Sequence, residues 1–198
     1  MMNRLLHAGT LFCTVILLIM STFVSTKTVA GYMIVDDEGF VRYQGEITEG
    51  DSSLLRNLIS SPAHNVQRTL LIMSSGGDVI DSLSSANIIT AHRMNVLAAG
   101  QCTSACTFIL FSGRTKLILE NTEVGIHCPS YYMNAQYHYI PKYSPSYWKL
   151  YGVLRAGGMS EKLAVEFLDM TFEHKSTKMR ILTKKELEYF GVKILRNK

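Results

Sequence analysis

The sequence is poor in several features that would point to other classes of protein. It has no low-complexity tail and no internal repeat, and its 198 residues include only 4 prolines and 1 tryptophan. A repeat architecture or a disordered chain is therefore not expected. Lysine and arginine form no cluster, and the formal net charge is only +4. A chain without a basic patch has no electrostatic footprint for nucleic acid, so we expect no nucleic-acid partner.

The N-terminus predicts export. An uncharged apolar run extends from Ala8 to Val24, and a short polar stretch then ends at the small residue Ala30. A run of this length lies between the core of a long signal peptide and a short membrane span. We predict that residues 1–30 are a signal peptide cut near Ala30, with an uncleaved membrane anchor as the alternative. Residues 31–198, the size of one globular domain, are then periplasmic or anchored to the inner membrane facing outward.

Cysteine usage follows from this location. Cys102, Cys106 and Cys128 remain after the leader. In an oxidising compartment one pair can form a disulfide, and we consider Cys102 or Cys106 with Cys128. The alternative is that all of them are small buried hydrophobes. No set of histidines and cysteines has zinc-site spacing, so the sequence predicts neither a metal nor a cofactor.

Short apolar strands alternate with helices along the rest of the chain. The run Thr69–Met73 is typical of a strand buried on both faces of a parallel sheet, and Val79–His92 has helical spacing. Further strands are predicted at 95–99, 115–119, 123–127 and 179–182, and further helices at 104–111, 160–173 and after 183. This alternation predicts an α/β domain with a largely parallel sheet.

Two strand-to-helix turns could carry chemistry, because parallel sheets bind ligands at the carboxyl ends of their strands. In the first turn, Gly76 and Gly77 free the backbone to present amides to an oxyanion. A plain turn is the alternative. In the second turn, Ser104 stands at the start of an apolar helix, where unpaired amides favour negative charge. The alternative for Ser104 is a helix N-cap.

A histidine is expected at the same edge of the sheet. His127 ends a hydrophobic strand and is soon followed by Pro129. A nucleophilic serine needs a base within hydrogen-bond reach and donors aimed at the developing oxyanion. Ser104, His127 and the amides of Gly76 and Ala105 meet this need if the fold brings them together.

Four ordered segments resemble the proteolytic subunit of Clp protease, in the Clp/crotonase superfamily, and especially its exported bacterial members. The segments are LLIMSSGGDV, GQCTSACTFILFSG, NTEVGIHCP and MRILTKKELEYFGV, and the resemblance covers roughly residues 41–192. It implies a spiral of ββα units around a largely parallel sheet. It also implies a serine peptidase in which Ser104 is the nucleophile, His127 is the general base, and the amides of Gly76 and Ala105 form the oxyanion hole.

One departure from the family concerns the third catalytic residue. The position of its aspartate is occupied by Met179, which cannot orient an imidazole. Asp169, Glu173 or a backbone carbonyl could take over this role. Losing the third member leaves residual activity, so a weakened or inactive binding and assembly module is the alternative function. A thioester-using crotonase is disfavoured outside the cytoplasm, and a Ser–Lys dyad is disfavoured because His127 already fills the base position.

A second departure is the segment 130–151, which resists assignment to helix or strand. It holds Trp148 and seven of the ten tyrosines. In the family this stretch leads into the part that builds oligomers and lines the substrate groove, and aromatic residues favour interfaces. We therefore expect a homo-oligomer and a peptide or protein substrate, with a lid packed on its own domain as the alternative. Export separates the chain from cytoplasmic ATP-driven unfoldases, so no ring partner of that kind is expected.

Overall fold

The computed structural model describes residues 30–61, 66–175 and 177–196. The leader predicted at residues 1–30 therefore lies, apart from Ala30, outside the described residues. Within the described ranges, none of the helices is both long and apolar enough to span a bilayer.

Strands and helices alternate along the described residues. The strands are β1 (Tyr32–Val35), β2 (Val41–Gln44), β3 (Thr69–Ser74), β4 (Asn95–Thr103), β5 (Lys116–Leu119), β6 (Glu123–Ile126), β7 (Ser130–Met133), β8 (Gln136–Tyr139), β9 (Arg180–Ile181) and β10 (Val192–Leu195). The helices are α1 (Asp51–Ser60), α2 (Val79–Ala91), α3 (Cys106–Ser112), α4 (Pro145–Ala156), α5 (Glu161–Glu173) and α6 (Lys184–Tyr189).

Most of the strands belong to one sheet. Its order is β1-β2-β3-β4-β5-β10, and each of these pairs is parallel except β1 with β2. Strand β6 pairs with β4 in parallel and with β9 in antiparallel orientation, while β7 and β8 form a separate hairpin. The predicted α/β class with a largely parallel sheet is confirmed.

Strand β4 is nine residues long and divides the sheet. Its first part, residues 96–98, pairs with β5, and its last part, residues 101–103, pairs with β6. Gly100 lies between the two parts with φ of 66°, a conformation that glycine adopts without steric penalty. The predicted end of this strand at Ala99 is wrong, because Gly100 redirects the strand without ending it.

Helix α3 is buried along its whole length, which fixes what surrounds its N-terminus. Every residue from Cys106 to Ser112 is buried. Phe111 contacts Phe167 of α5 with ring centroids 4.6 Å apart, and it also contacts Phe190. The helix begins at Cys106 with Ala105 as N-cap, two residues later than the predicted start. The N-terminus of α3 therefore opens inside the domain, as its apolar sequence suggested.

The unassigned segment 130–151 contains a hairpin and most of a helix. Asn134 and Ala135 connect β7 to β8 with φ of 52° and 59°, the positive values that a two-residue hairpin turn requires. Helix α4 follows, with Ser144 capping its first turn and proline at the first helical position. Its buried residues have helical spacing, but apolar residues such as Trp148 also occupy its exposed side, which hides this pattern in the sequence.

Candidate active site

The two turns singled out in the sequence are in direct contact. Gly76 follows β3 with φ of +99°, and a Cβ built on it would lie 2.6 Å from Ser104 Cβ. The same Cβ would lie 2.9 Å from the amide nitrogen of Ala105. Real Cβ atoms do not approach so closely, so only glycine fits between these groups. The structure thus brings Gly76 into contact with Ser104 and Ala105, which lie about thirty residues later in the sequence.

Ser104 occupies a strained turn between β4 and α3. Its φ is 55°, in the left-handed region that costs a non-glycine residue about 1–3 kcal/mol. Its N–H donates to the Gly125 carbonyl at 2.8 Å. Its own carbonyl accepts from the Thr107 amide at 3.0 Å and from Thr107 Oγ1 at 2.7 Å. Bonds on both sides therefore hold the backbone in a conformation it would not adopt alone.

His127 directly follows β6, the strand whose Gly125 binds the Ser104 amide. The imidazole Nδ1 lies 2.9 Å from the Cys128 carbonyl oxygen. A carbonyl only accepts, so this contact assigns the proton to Nδ1 and leaves Nε2 with a lone pair. Although both residues are described, Ser104 Oγ and His127 make no hydrogen bond with each other. Catalytic hydrogen bonds are often long before substrate binds.

Met179, at the predicted position of the third catalytic residue, lies beside β6. Strand β9 runs antiparallel to β6 with Gly125 opposite Ile181, so the same register places Met179 opposite His127. The methionine side chain packs against this strand, and a Cβ on Gly125 would lie 2.8 Å from Met179 Cγ. A thioether carries no charge to stabilise an imidazolium.

The two carboxylates considered as replacements do not contact the imidazole. Asp169 Oδ1 lies 2.8 Å from Lys142 Nζ, on the outer side of α5. Glu173 ends α5 with an exposed side chain. In the described part of the chain neither carboxylate hydrogen-bonds to His127. The ring is oriented instead by the carbonyl of Cys128, the backbone alternative considered from the sequence.

The two predicted oxyanion donors differ in their present partners. The Gly76 amide donates to Ser74 Oγ at 3.1 Å, and Ser74 is buried. The Ala105 amide makes no hydrogen bond within the described ranges. Ser74 was not singled out in the sequence, because a serine beside glycines has many ordinary roles. One donor is therefore free at this turn, and the other would have to exchange the Ser74 hydroxyl for a ligand.

A disulfide brackets the candidate nucleophile. Cys102 and Cys106 are bonded, and Cys128 is a free, buried thiol. The pairing with Cys128 considered from the sequence is wrong. Strand β4 continues past Cys102 and leads directly into the turn before α3, so the sulfurs of Cys102 and Cys106 meet across this turn.

The aromatic segment, residues 130–151, presents much of its surface to solvent. Tyr131, Tyr143 and Trp148 are each more than half exposed. Tyr147 is fully buried, and burial is the main reason that its pKa is raised. This surface suits the expected interface or groove, which stays a prediction.

The site contains no evident place for a metal. Among the described residues, no group of three or more histidine, cysteine, aspartate or glutamate side chains could hold a metal ion. The groups that the candidate site presents are the Ser104 hydroxyl, the His127 imidazole and backbone amides.

Comparisons with known proteins agree with this fold. The model of the Clp protease family matches residues 26–150. Among solved structures, the chain is similar to a mutant of the 1510-N membrane-bound stomatin-specific protease, with a TM-score of 0.54 and 17% sequence identity. That similarity covers 79% of this chain and 78% of the other, and at this identity it shows a shared fold. No curated protein matches the chain.

Proposed function

This chain belongs to the Clp protease family, and we propose that it is a serine peptidase acting outside the cytoplasm through Ser104 and His127. The observation that carries the proposal is the contact between the Gly76 turn and the Ser104 turn, beside the strand that leads to His127. Strained serine turns between a strand and a helix are suited to present a nucleophile. The substrate class is a peptide or protein.

In the proposed reaction, Ser104 Oγ attacks the carbonyl carbon of the substrate and its proton passes to His127 Nε2. The resulting oxyanion accepts hydrogen bonds from the amides of Ala105 and Gly76. The carbon–nitrogen bond then breaks, and the imidazolium returns its proton to the leaving amine. Water, deprotonated by the same imidazole, attacks the acyl-enzyme and releases the acid and free Ser104.

The missing acid sets the expected rate. In a serine protease, replacing the triad aspartate by asparagine lowers kcat about 10⁴-fold, largely because the imidazole takes the wrong tautomer. Here the Cys128 carbonyl selects the useful tautomer but supplies no negative charge. We therefore expect slow turnover with a clear reaction toward an activated probe.

A fluorophosphonate probe tests this proposal on the full chain. Ser104 Oγ would displace fluoride from phosphorus, and the adduct would be located by mass spectrometry. We expect an adduct at Ser104 in the wild type and none in Ser104→Ala. Ser53→Ala, an exposed serine of α1, is the matched control and should label normally. Well-folded wild-type protein that acquires no adduct would contradict the proposal.

Location outside the cytoplasm rests on two observations. The run Ala8–Val24 has the character of a signal peptide or anchor, and the Cys102–Cys106 disulfide is typical of an oxidising compartment. Cell fractionation together with the intact mass of the native protein tests this. A cut near Ala30 gives a shorter soluble chain, whereas an anchor leaves the full mass in the membrane fraction. Full-length protein in the cytoplasm would reject both forms of the proposal.

A second function is favoured by the vacant acid position. Met179 and the absent Ser104–His127 hydrogen bond fit an assembly or binding module that retains the fold without the chemistry. The exposed aromatic segment would then provide contacts for self-association. In that case Ser104→Ala leaves oligomer mass and partner binding unchanged and the wild type fails to label.

A further inference from the structure

We propose that the Cys102–Cys106 disulfide is a positioning element for the nucleophile. It holds the Ser104 backbone in the left-handed region and keeps the Ala105 amide directed at the oxyanion site. This inference rests on the proposed function. The crosslink joins the residue two before Ser104 to the residue two after it, so it closes a ring around residues 103–105. It thereby ties the end of β4 to the first residue of α3.

The backbone of Ser104 needs such a restraint. A non-glycine residue at φ of 55° relaxes toward negative φ unless its surroundings prevent it. That relaxation would turn the peptide plane between Ser104 and Ala105. The Ala105 N–H, which has no other partner in the described part of the chain, would then point away from the site. The hydroxyl and one oxyanion donor would be misplaced together.

The hydrogen bonds around this turn do not replace the disulfide. Thr103 Oγ1 donates to the Ser75 carbonyl at 3.0 Å, which fixes the strand side of the turn. Thr107 binds the Ser104 carbonyl from within α3. These bonds hold each half, whereas the disulfide fixes the two halves relative to each other. Because a crosslink restricts the unfolded chain less when its loop is short, we expect its effect on global stability to be modest compared with its local effect.

The surroundings favour a permanent crosslink over a redox switch. Both bonded cysteines are fully buried, which protects the disulfide from thiols in solution. The remaining thiol, Cys128, is also buried, and burial raises its pKa. A thiol in its protonated form is a poor nucleophile, so exchange with the disulfide is disfavoured.

The test compares the double variant Cys102→Ala/Cys106→Ala with Ile118→Val, which removes a buried methyl group from β5, away from the candidate site, and leaves the crosslink intact. The rate of fluorophosphonate labelling is measured at a temperature where circular dichroism shows every protein folded. We expect the double variant to lose about ten-fold or more in the maximal labelling rate, with little change in the probe concentration at half-maximal rate. Ile118→Val, which loses only a little core packing, should remain within about two-fold of the wild type.

Reduction provides a second route if the double variant does not fold. Dithiothreitol transfers two electrons and two protons to the disulfide, yielding two thiols and its own cyclic disulfide. Under mildly destabilising conditions this should slow labelling of the wild type, and oxidised glutathione should restore the rate after the reductant is removed. A purely structural role would not give a rate that returns with the bond while the folded fraction stays constant.

Several outcomes would overturn the inference. Peptide mapping without reduction must show Cys102 linked to Cys106, and free thiols at these positions would reject it. A folded double variant that labels at the wild-type rate would also reject it. A crystal structure of the double variant decides the matter without any activity, because Ser104 retained at positive φ refutes positioning. Wild-type protein that carries the disulfide but does not label refutes the proposed peptidase instead.

Discussion

Two regions of the molecule lie at the same edge of the sheet. One is the Ser104 turn, residues 102–106, at the end of β4, and the other is the aromatic segment, residues 130–151, which comes after β6. They are held in different ways. The turn is closed by a disulfide, lies against Gly76 and leads into a wholly buried helix. The aromatic segment forms a hairpin and a helix whose outer side chains, such as Trp148, are more than half exposed.

The two proposed catalytic residues are therefore held by different kinds of restraint. Ser104 is fixed by bonds within its own turn and to Gly125 of the neighbouring strand. The segment after His127 is fixed from farther away, since the Cys128 amide donates to the His174 carbonyl at 2.5 Å and Ile140 binds the Pro129 carbonyl. The proposed nucleophile therefore depends on local geometry, and the proposed base depends on how α5 and the aromatic segment pack.

The largest effect should come from breaking that packing at Tyr147. Its ring is fully buried against Phe172, with centroids 5.2 Å apart. Tyr147→Ala should lower the free energy of unfolding by about 3–5 kcal/mol, measured by urea denaturation. Trp148→Ala, at the adjacent exposed position, should change it by less than about 0.5 kcal/mol while reducing self-association measured by ultracentrifugation. Equal losses of stability for the two variants would refute the distinction.

Tyr147→Phe is a further control for that experiment. The Tyr147 hydroxyl is buried and has no hydrogen-bond partner in the described ranges. Removing an unsatisfied hydroxyl should leave stability unchanged or raise it by up to about 1 kcal/mol. A marked loss would instead reveal a partner for this hydroxyl.

The next largest effect is expected from a substitution of Gly76, which lies against the Ser104 turn. A methyl group there meets Ser104 and must also adopt φ of +99°, so Gly76→Ala should reduce probe labelling by about 100-fold or more. Gly50 has nearly the same φ, +98°, with nothing within 4 Å of the position of its Cβ. Gly50→Ala should lose only about 1 kcal/mol of stability and label normally. Similar labelling by both variants would show that the close contact is unimportant.

The smallest effect concerns the empty acid position. Met179→Asp places a carboxylate opposite His127 in the β6–β9 register, where it would stabilise the imidazolium. We expect the rate of probe labelling to rise by about ten-fold. Met179→Asn, which has the same shape without the charge, should give no such gain. A gain shared by both variants would point to the loss of the methionine rather than to the charge.

Much of the fold could be predicted because its signals are local. The apolar run of β3 and the helical spacing of α2 and α5 indicate their elements directly, and a helix after residue 183 is present as α6, where Thr183 and Glu186 form a capping box. Element ends were harder to place. The continuation of β4 beyond Gly100 depends on its pairing with β6, which no short stretch of sequence encodes.

The candidate site could likewise be predicted only in part. Ser104, His127 and the two amides were chosen because each stands next to a strand end, and the structure brings Gly76, Ser104 and Ala105 into contact. Their catalytic roles stay predictions. The partner of His127 Nδ1, the bond from the Gly76 amide to Ser74 and the cysteine pairing could not be read from residue type alone. Each depends on which of several nearby groups lies within about 3 Å.

The sequence by itself determined the alternation of strands and helices, the family and the residues able to carry chemistry, because residue type and spacing fix local conformation. Only the tertiary structure decided that Cys102 pairs with Cys106, that a carbonyl orients His127, and that Met179 packs against Gly125 of β6. These contacts depend on strand β4, which pairs with β5 through its first part and with β6 through its last part. Pairing between distant strands depends on packing of the whole domain, and that packing is not a property of any one segment.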